Sequence, residues 1–432
     1  APPRPWAPEP LLGEVTQAVD LAPGATVSLG GHAFQILASL GQGSFATVWR
    51  ASGCDGEHIA IKQTLCLSQD ELTRAVAEAD FLKRATETLL TVNVEVADRV
   101  PYLVSSEVVK VEPGRWQVRM AMSEIPGTPL EEVLAACRRR ARHLDGEAPA
   151  REPFEKVGGV CRFVSALVAQ LAPVIEGFAA EIYHRDITPR NIHVRDWDTG
   201  EPKFGLVDFG LAVDAQAWRA RGGYGDLAGD GRYWPPSAWF VFSHSSRELA
   251  HHPAQLEEYC LDLDVHALGI VALRCFVEMM PSIPGLESSP RVCLALRGLR
   301  CVRQAWAAYW TRAQGFWHPV LRAFQSGADI GRFRSEYIEV HRTLRADIAE
   351  MRRALEECAL ACRWVPTLTE LASLFRALLS MLRAAGDDSP DGAMLAVAPR
   401  IRKSCHGSSI GETWCGREAA PPHIVDMPRH VQ

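Results

Sequence analysis

The chain has 432 residues, 47% of them hydrophobic and 23% charged, the balance of an ordinary soluble globular protein able to bury a sizeable core. Its formal net charge of −6 argues against a general nucleic-acid or anionic-membrane binder. The twelve cysteines follow no disulfide-framework spacing, so reduced thiols in an intracellular protein, cytoplasmic or nuclear, are the simplest reading. Cys405, His406 and Cys415 fit no four-ligand zinc pattern. The chain starts at Ala1, as a fragment or processed form would, and shows no signal peptide. The longest apolar run, Val164 to Ala180, contains Gln170 and Glu176 and reads as a buried amphipathic helix, not a membrane span.

Residues 1 to 30, rich in Pro, Ala and Gly, read as a flexible lead. Strand signals begin at Ala33-Phe34-Gln35-Ile36-Leu37 and run into Leu40-Gly41-Gln42-Gly43-Ser44-Phe45-Ala46-Thr47-Val48. That pattern predicts a hairpin with a Gly-rich turn. Glycines there let backbone N–H groups approach phosphates that a Cβ would hold off. Alone, the turn reads better as a plain β-turn, because Ala46 stands where a third Gly is expected. The next strand, Ile59-Ala60-Ile61-Lys62, ends in a lysine, which is costly to bury unless paired. The helical stretch Glu71 to Arg84 offers Glu71, Glu78 and Asp80 as partners, and Glu78 lies sixteen residues beyond Lys62. Two more strands are expected over Tyr102 to Val109 and Trp116 to Ser123.

Beyond Leu130 the pattern turns helical. A helix is predicted over Leu130 to Arg142, with the basic run 137–143 as its solvated end. A surface loop follows over Asp145 to Gly159, and a long helix over Cys161 to Tyr183. Then comes His184-Arg185-Asp186-Ile187-Thr188-Pro189-Arg190-Asn191, followed by strands over Ile192 to Val194 and Phe204 to Val207, and by Asp208-Phe209-Gly210. Asp186 can accept a proton from an attacking hydroxyl, while Asn191 and Asp208 offer the hard oxygens that Mg²⁺ prefers. Asp264 reads as the N-cap of an apolar helix over Val265 to Met279. Residues 290 to 385 read as almost wholly helical. Ile338, Leu344, Ile348, Met351 and Leu355 recur there at helical spacing, as a core-facing stripe first and a partner-binding helix second. The tail from Gly386 reads as flexible.

Taken together, these strings resemble the eukaryotic-type protein kinase superfamily over roughly residues 34 to 285. The resemblance lies in the catalytic loop at 184–191, the D-F-G at 208–210, the V-A-I-K-like strand ending at Lys62, the helix bearing Glu78, and Gly229-Asp230-Gly231-Arg232-Tyr233-Trp234-Pro235-Pro236-Ser237. It implies an α+β, bilobal protein-kinase-like fold. A small antiparallel sheet with one main helix would span about 31–124, and a larger, mostly helical lobe about 125–385. It further implies ATP and Mg²⁺ as cofactors and a protein hydroxyl as acceptor. Leu40, Gly41, Gln42, Gly43, Ser44, Val48, Ala60 and Lys62 would contact the nucleotide, with Glu124 and Ile125 at its base edge. Asn191 and Asp208 would hold the metal, Glu78 would orient Lys62, and Asp186 would act as base. Met122 or Ser123 would be the gatekeeper. The string Asp264 to Gly269 resembles the family's D-x-W-x-x-G with His266 in place of the Trp, which implies that Asp264 holds the 184–191 backbone, alone or together with the N-cap role.

The departures from the pattern are informative. Thr188 stands where Ser/Thr kinases carry a Lys, and Asp230 where its usual Thr partner sits; a hydrogen bond from Thr188 to Asp230 is the expected replacement. Arg190 supplies an alternative cation at the offset tyrosine kinases use, whereas Pro189 points to the Ser/Thr type, the reading favoured here. Ser237 replaces a Glu whose ion pair with a distant Arg should be absent or rebuilt. No Ser or Thr lies between Asp208 and Pro236; the only hydroxyls are on Tyr224 and Tyr233. Arg185, which the family commonly uses to bind an activating phosphate, could instead meet Asp214, Asp226 or Asp230. A catalytically silent scaffold and a small-molecule kinase of related fold are the competing readings.

Overall fold

Alternating buried and exposed side chains build the first of two compact units in the computed structural model, which describes residues 21–43, 46–144, 153–220, 227–280 and 289–382. This unit comprises the chain up to Pro126 together with Leu206–Ala212. Six strands, β1 (Thr26–Leu29), β2 (His32–Gln42), β3 (Ala46–Ser52), β4 (His58–Cys66), β5 (Leu103–Glu112) and β6 (Arg115–Ser123), form one sheet in the order β1-β2-β3-β4-β6-β5. Every neighbouring pair is antiparallel. The sheet curls until its two edges nearly meet: a Cβ on Gly30, just after β1, would lie 2.1 Å from the Ser105 hydroxyl on β5. The enclosed face buries Val27, Leu29, Phe34, Ile36, Ala51, Ile59, Ile61 and Ala121. A helix, α1 (Gln69–Val92), begins at Ser68, whose hydroxyl accepts the Glu71 N–H, and a short helix, α2 (Val94–Ala97), follows.

Strand β1 lies inside the stretch expected to be a flexible lead. Its alternation, with Val27 and Leu29 buried and Thr26 and Ser28 exposed, was available in the sequence but was outweighed by the surrounding Pro, Ala and Gly. Residues 1–20 lie outside the described residues.

The second unit runs over Gly127–Gly205 and from Val213 onward. It starts with β7 (Thr128–Pro129), α3 (Leu130–Leu144) and α4 (Pro153–Phe178), then β8 (Ile182–Tyr183), β9 (Ile192–Arg195), β10 (Lys203–Leu206) and β11 (Val213–Asp214). Strands β10, β9 and β7 form one small sheet and β11 and β8 another. Helices α5 (Ala215–Ala220), α6 (Pro236–Ser243), α7 (Ser246–Leu249), α8 (Pro253–Leu261) and α9 (Leu263–Met279) follow. The unit ends with α10 (Pro290–Gln325), α11 (Arg332–Glu336), α12 (Val340–Cys362) and α13 (Thr369–Met381).

Helix α4 starts at Pro153, inside the stretch expected as a loop over 145–159, and a proline's missing N–H suits a helix's first turn; residues 145–152 lie outside the described residues. Helix α4 also stops at Phe178, and Tyr183 is a strand residue instead. By length and composition Lys156–Phe178 could cross a membrane. Here Val164, Leu167, Leu171, Val174 and Phe178 are fully buried, and α4 packs on α9 and α13. The predicted stripe on α12 holds for Leu344, Ile348, Met351 and Leu355, all buried against α10, α13 and α6. Ile338 precedes the helix and is 46% exposed, so it falls out of the stripe. The tail from Gly386, with Cys405, His406 and Cys415, lies outside the described residues.

On α9, His266 is 1% exposed, and neither ring nitrogen has a hydrogen-bond partner. Burial holds its pKa down at about 3, against an ordinary 6.5. Between those two values the unfolded chain binds the proton that the folded chain refuses, so stability rises with pH across that window. Going from pH 7 to pH 5 therefore costs about 2 kcal/mol at this residue. His266→Leu, similar in volume and apolar, is expected to remove that increment, read as the difference in urea unfolding between the two pH values. An unchanged difference would mean that the ring is not buried neutral.

Candidate active site

The first unit brings together three charged groups predicted from separate motifs. The register places Val48 opposite Lys62 and Lys62 opposite Met120, while Ala60 faces Arg50 and Met122. Because strand side chains alternate, Val48, Arg50, Ala60, Lys62, Met120 and Met122 share the face opposite the enclosed core. Met122 thus lies on the Lys62 face. Ser123 points the other way, and its hydroxyl accepts the Tyr102 N–H. On that face the Lys62 ammonium donates to Glu78 Oε1 and to Asp208 Oδ1, each at 2.7 Å. Glu78 comes from the inner side of α1 and is 6% exposed. Asp208 arrives on a segment anchored by the Leu206 N–H donating to the Arg99 carbonyl, with Phe209 buried beside it. Burial acts to lower the Lys62 pKa, but the Glu78 and Asp208 carboxylates outweigh it and hold the ammonium above its ordinary range. The Lys62–Glu78 pairing follows the expected spacing; the second ion pair, to Asp208, was not anticipated.

Gly41 and Gln42 close strand β2, and the Gly43 N–H donates to the Ala46 carbonyl. Leu40 is exposed on the same strand, and Ser44 lies outside the described residues. The Glu124 N–H donates to the His58 carbonyl, while the Arg50 guanidinium grips its carboxylate, with Nε at 2.7 Å. Ile125 follows Glu124 and is half-buried.

The second unit holds the 184–191 loop. Asp264 sits in the first turn of α9 and is 3% exposed. Its two oxygens accept the His184 and Arg185 N–H groups at 2.7 and 2.8 Å. Burial pushes its pKa up, against the pull of His184 and the two N–H donors. The helix N-cap is Asp262, so Asp264 serves the loop and not the cap. Within the loop, the Asn191 side-chain amide donates to the Asp186 carbonyl at 2.9 Å and to Asp186 Oδ2 at 2.7 Å. Both amide hydrogens are used, leaving the Asn191 oxygen for a cation. Arg190 is exposed, and Thr188 is 6% exposed.

The expected Thr188–Asp230 hydrogen bond does not form. The two residues line one small cavity with Asp186, Tyr233 and Trp234. However, the Asp230 carboxylate accepts the Arg232 N–H at 3.0 Å and the Arg232 guanidinium, with Nε at 2.9 Å. A cation two residues away captures the acid more easily than a hydroxyl 42 residues away in the chain. Just before it, Gly229 has φ +81, and a Cβ there would lie 2.2 Å from the Arg185 carbonyl oxygen, so no side chain fits. The Arg185 guanidinium lies 5.0 Å over the Trp218 ring, which stacks on Tyr259. Asp214 accepts the Ala217 N–H, and Tyr224 and Asp226 lie outside the described residues. Ser237 is wholly buried, and its hydroxyl has no hydrogen-bond partner. Arg274 on α9 is buried and bound to Glu131, Glu278 and the Tyr233 hydroxyl.

No family model matches the chain. The serine/threonine-protein kinase AfsK of Streptomyces coelicolor is 28% identical over 180 residues, which is 41% of this chain and 18% of AfsK. AfsK of Streptomyces griseus is 27% identical over 180 residues, with the same two shares. The similarity thus spans less than a fifth of the length of these curated relatives. The chain is distantly similar, over part of its length, to serine/threonine protein kinases.

Proposed function

We propose that the chain is a divergent protein kinase of bilobal fold, acting inside the cell, that transfers the γ-phosphoryl group of ATP to a protein Ser or Thr hydroxyl. The observation that carries this reading is the Lys62 ammonium held 2.7 Å from both Glu78 and Asp208. Three charges drawn from positions 62, 78 and 208 meet where phosphoryl transfer needs a cation beside an acid that can take a metal. The partial likeness to AfsK supports the same reading. On this reading the curled sheet with α1 is the small lobe, the second unit the large one, and the helices after 290 complete the large lobe.

Among the described residues, no group of three or more His, Cys, Asp or Glu side chains could hold a metal by itself. That fits Mg²⁺, which takes one or two protein oxygens and draws the rest from phosphate and water. Asp208 and the Asn191 amide oxygen would hold it, and bound there it neutralises phosphate charge. Lys62 would neutralise further charge, Glu78 would keep Lys62 in place, and Asp186 would orient the acceptor hydroxyl and take its proton. Arg185, already packed on Trp218, fits activity without a phosphorylated Ser or Thr between 208 and 236.

The test is phosphotransfer to generic protein acceptors with Mg²⁺, comparing the parent with Asp208→Asn. The parent should turn over, and the variant should lose at least about 10²-fold. Phosphotyrosine alone in the product would overturn the Ser/Thr assignment. The scaffold reading draws on one observation, that Lys62 already engages the proposed metal ligand Asp208. Nucleotide binding by a parent with no Mg²⁺-dependent turnover would favour it.

A further inference from the structure

We infer that Arg274 is a positioning residue that sets the 184–191 loop and the 229–233 turn together; the assignment of those segments to catalysis rests on the function proposed above. Arg274 lies on α9, is 4% exposed, and has four of its five N–H groups engaged. Nη1 and Nη2 donate to the two oxygens of Glu131, both at 2.7 Å. Nε donates to Glu278 at 2.9 Å, and Nη1 also donates to the Tyr233 hydroxyl at 2.6 Å. The Trp310 ring covers the guanidinium at 5.2 Å. Arg138 adds a second cation, donating to Glu278 and lying 3.5 Å from Glu131. Two cations therefore face two carboxylates, so the cluster is neutral overall, as a buried ionic group must nearly be.

Two of the groups gripped by Arg274 reach the candidate site. Glu131 is in the first turn of α3, and its own N–H donates to the Pro189 carbonyl at 3.0 Å, between Asp186 and Asn191. Just before it, Thr128 and Pro129 pair with Val194 and His193 at the loop's exit. The Glu131 carboxylate therefore fixes a residue that itself fixes the loop. Tyr233 ends the 3₁₀ turn Gly231–Tyr233 capped by Asp230, and that turn follows Gly229, which lies against the Arg185 carbonyl. A fork-shaped guanidinium can hold a carboxylate and a phenol at once, in one plane; an ammonium is a point donor and does not impose that geometry. The Glu expected at 237 is absent, and this cluster is a rebuilt anchor for the same turn, with its cation on α9.

The test compares Arg274→Lys, which keeps the charge, and Tyr233→Phe, which removes one hydroxyl, with the parent. Each variant should unfold cooperatively on heating. Their kcat for a protein acceptor should fall about 10- to 100-fold while the KM for ATP stays within about twofold, because the loss is one of alignment. Parent kcat in both folded variants overturns the inference. Hydrogen exchange of the amides at 184–191 and 229–233 is read on the same samples and needs no turnover. In Arg274→Lys it should rise about tenfold in both segments and stay unchanged in α4. Unchanged exchange in either segment overturns the coupling, whether or not the chain transfers phosphate. A parent that never turns over, with the exchange response present, sinks the kinase reading and leaves the anchor standing.

Discussion

Lys62→Met is expected to lower stability by about 3–5 kcal/mol, read as a drop in the urea midpoint with the slope unchanged. The Lys62 side chain is 13% exposed and that of Glu78 8% exposed. Removing the cation leaves a carboxylate buried against a methyl group. Asp208 is different: its side chain is 48% exposed, and water can replace the lost partner at little cost. The penalty should therefore sit on Glu78. Glu78→Gln in the Lys62→Met background should recover most of it, because an amide needs no counter-charge. A double variant no more stable than Lys62→Met would show that the pair is not the source of the loss.

The second large effect falls on turnover. Asp186→Asn should reduce kcat by about 10²–10⁴-fold, with the KM for ATP little changed. Asp186 Oδ2 already accepts one hydrogen of the Asn191 amide, which orients the carboxylate. An amide at 186 keeps one acceptor oxygen but loses the basic group. Folding should be barely affected, with the thermal midpoint moving by no more than about 4 °C. A variant with parent kcat would remove Asp186 from the base role and with it most of the proposed chemistry.

Much of the candidate site was legible because it rests on short spacings. Asp186 and Asn191 are five residues apart and hydrogen-bond to each other. Lys62 and Glu78 are sixteen apart, and a strand-then-helix pattern between them brings one face to the other. What stayed hidden depends on long separations. Arg274 meets Glu131 across 143 residues, and neither residue stands in a recognisable string. Arg50 and Glu124 pair across 74 residues, through a register that only the sheet order reveals. The Thr188–Asp230 expectation failed for a local reason, since Arg232 competes at a distance of two residues. In the fold, strong periodicity gave the long helices. Element ends and the four-residue strand β1 were missed, because a few residues of alternation carry little signal against a Pro- and Gly-rich background.

Two residues in the candidate site have backbones that most side chains avoid. Arg185 has φ 64 and Asp208 has φ 68, in the left-handed region, and neither is glycine. Holding a non-glycine residue there stores on the order of 1–3 kcal/mol. Thermal stability and phosphoryl transfer should therefore pull in opposite directions at these two positions. A library screened only for heat resistance would drift towards Gly or Asn at 185 and 208, yielding a tougher protein with a blunted site. The same chain screened for turnover would keep both residues and remain the less stable of the two.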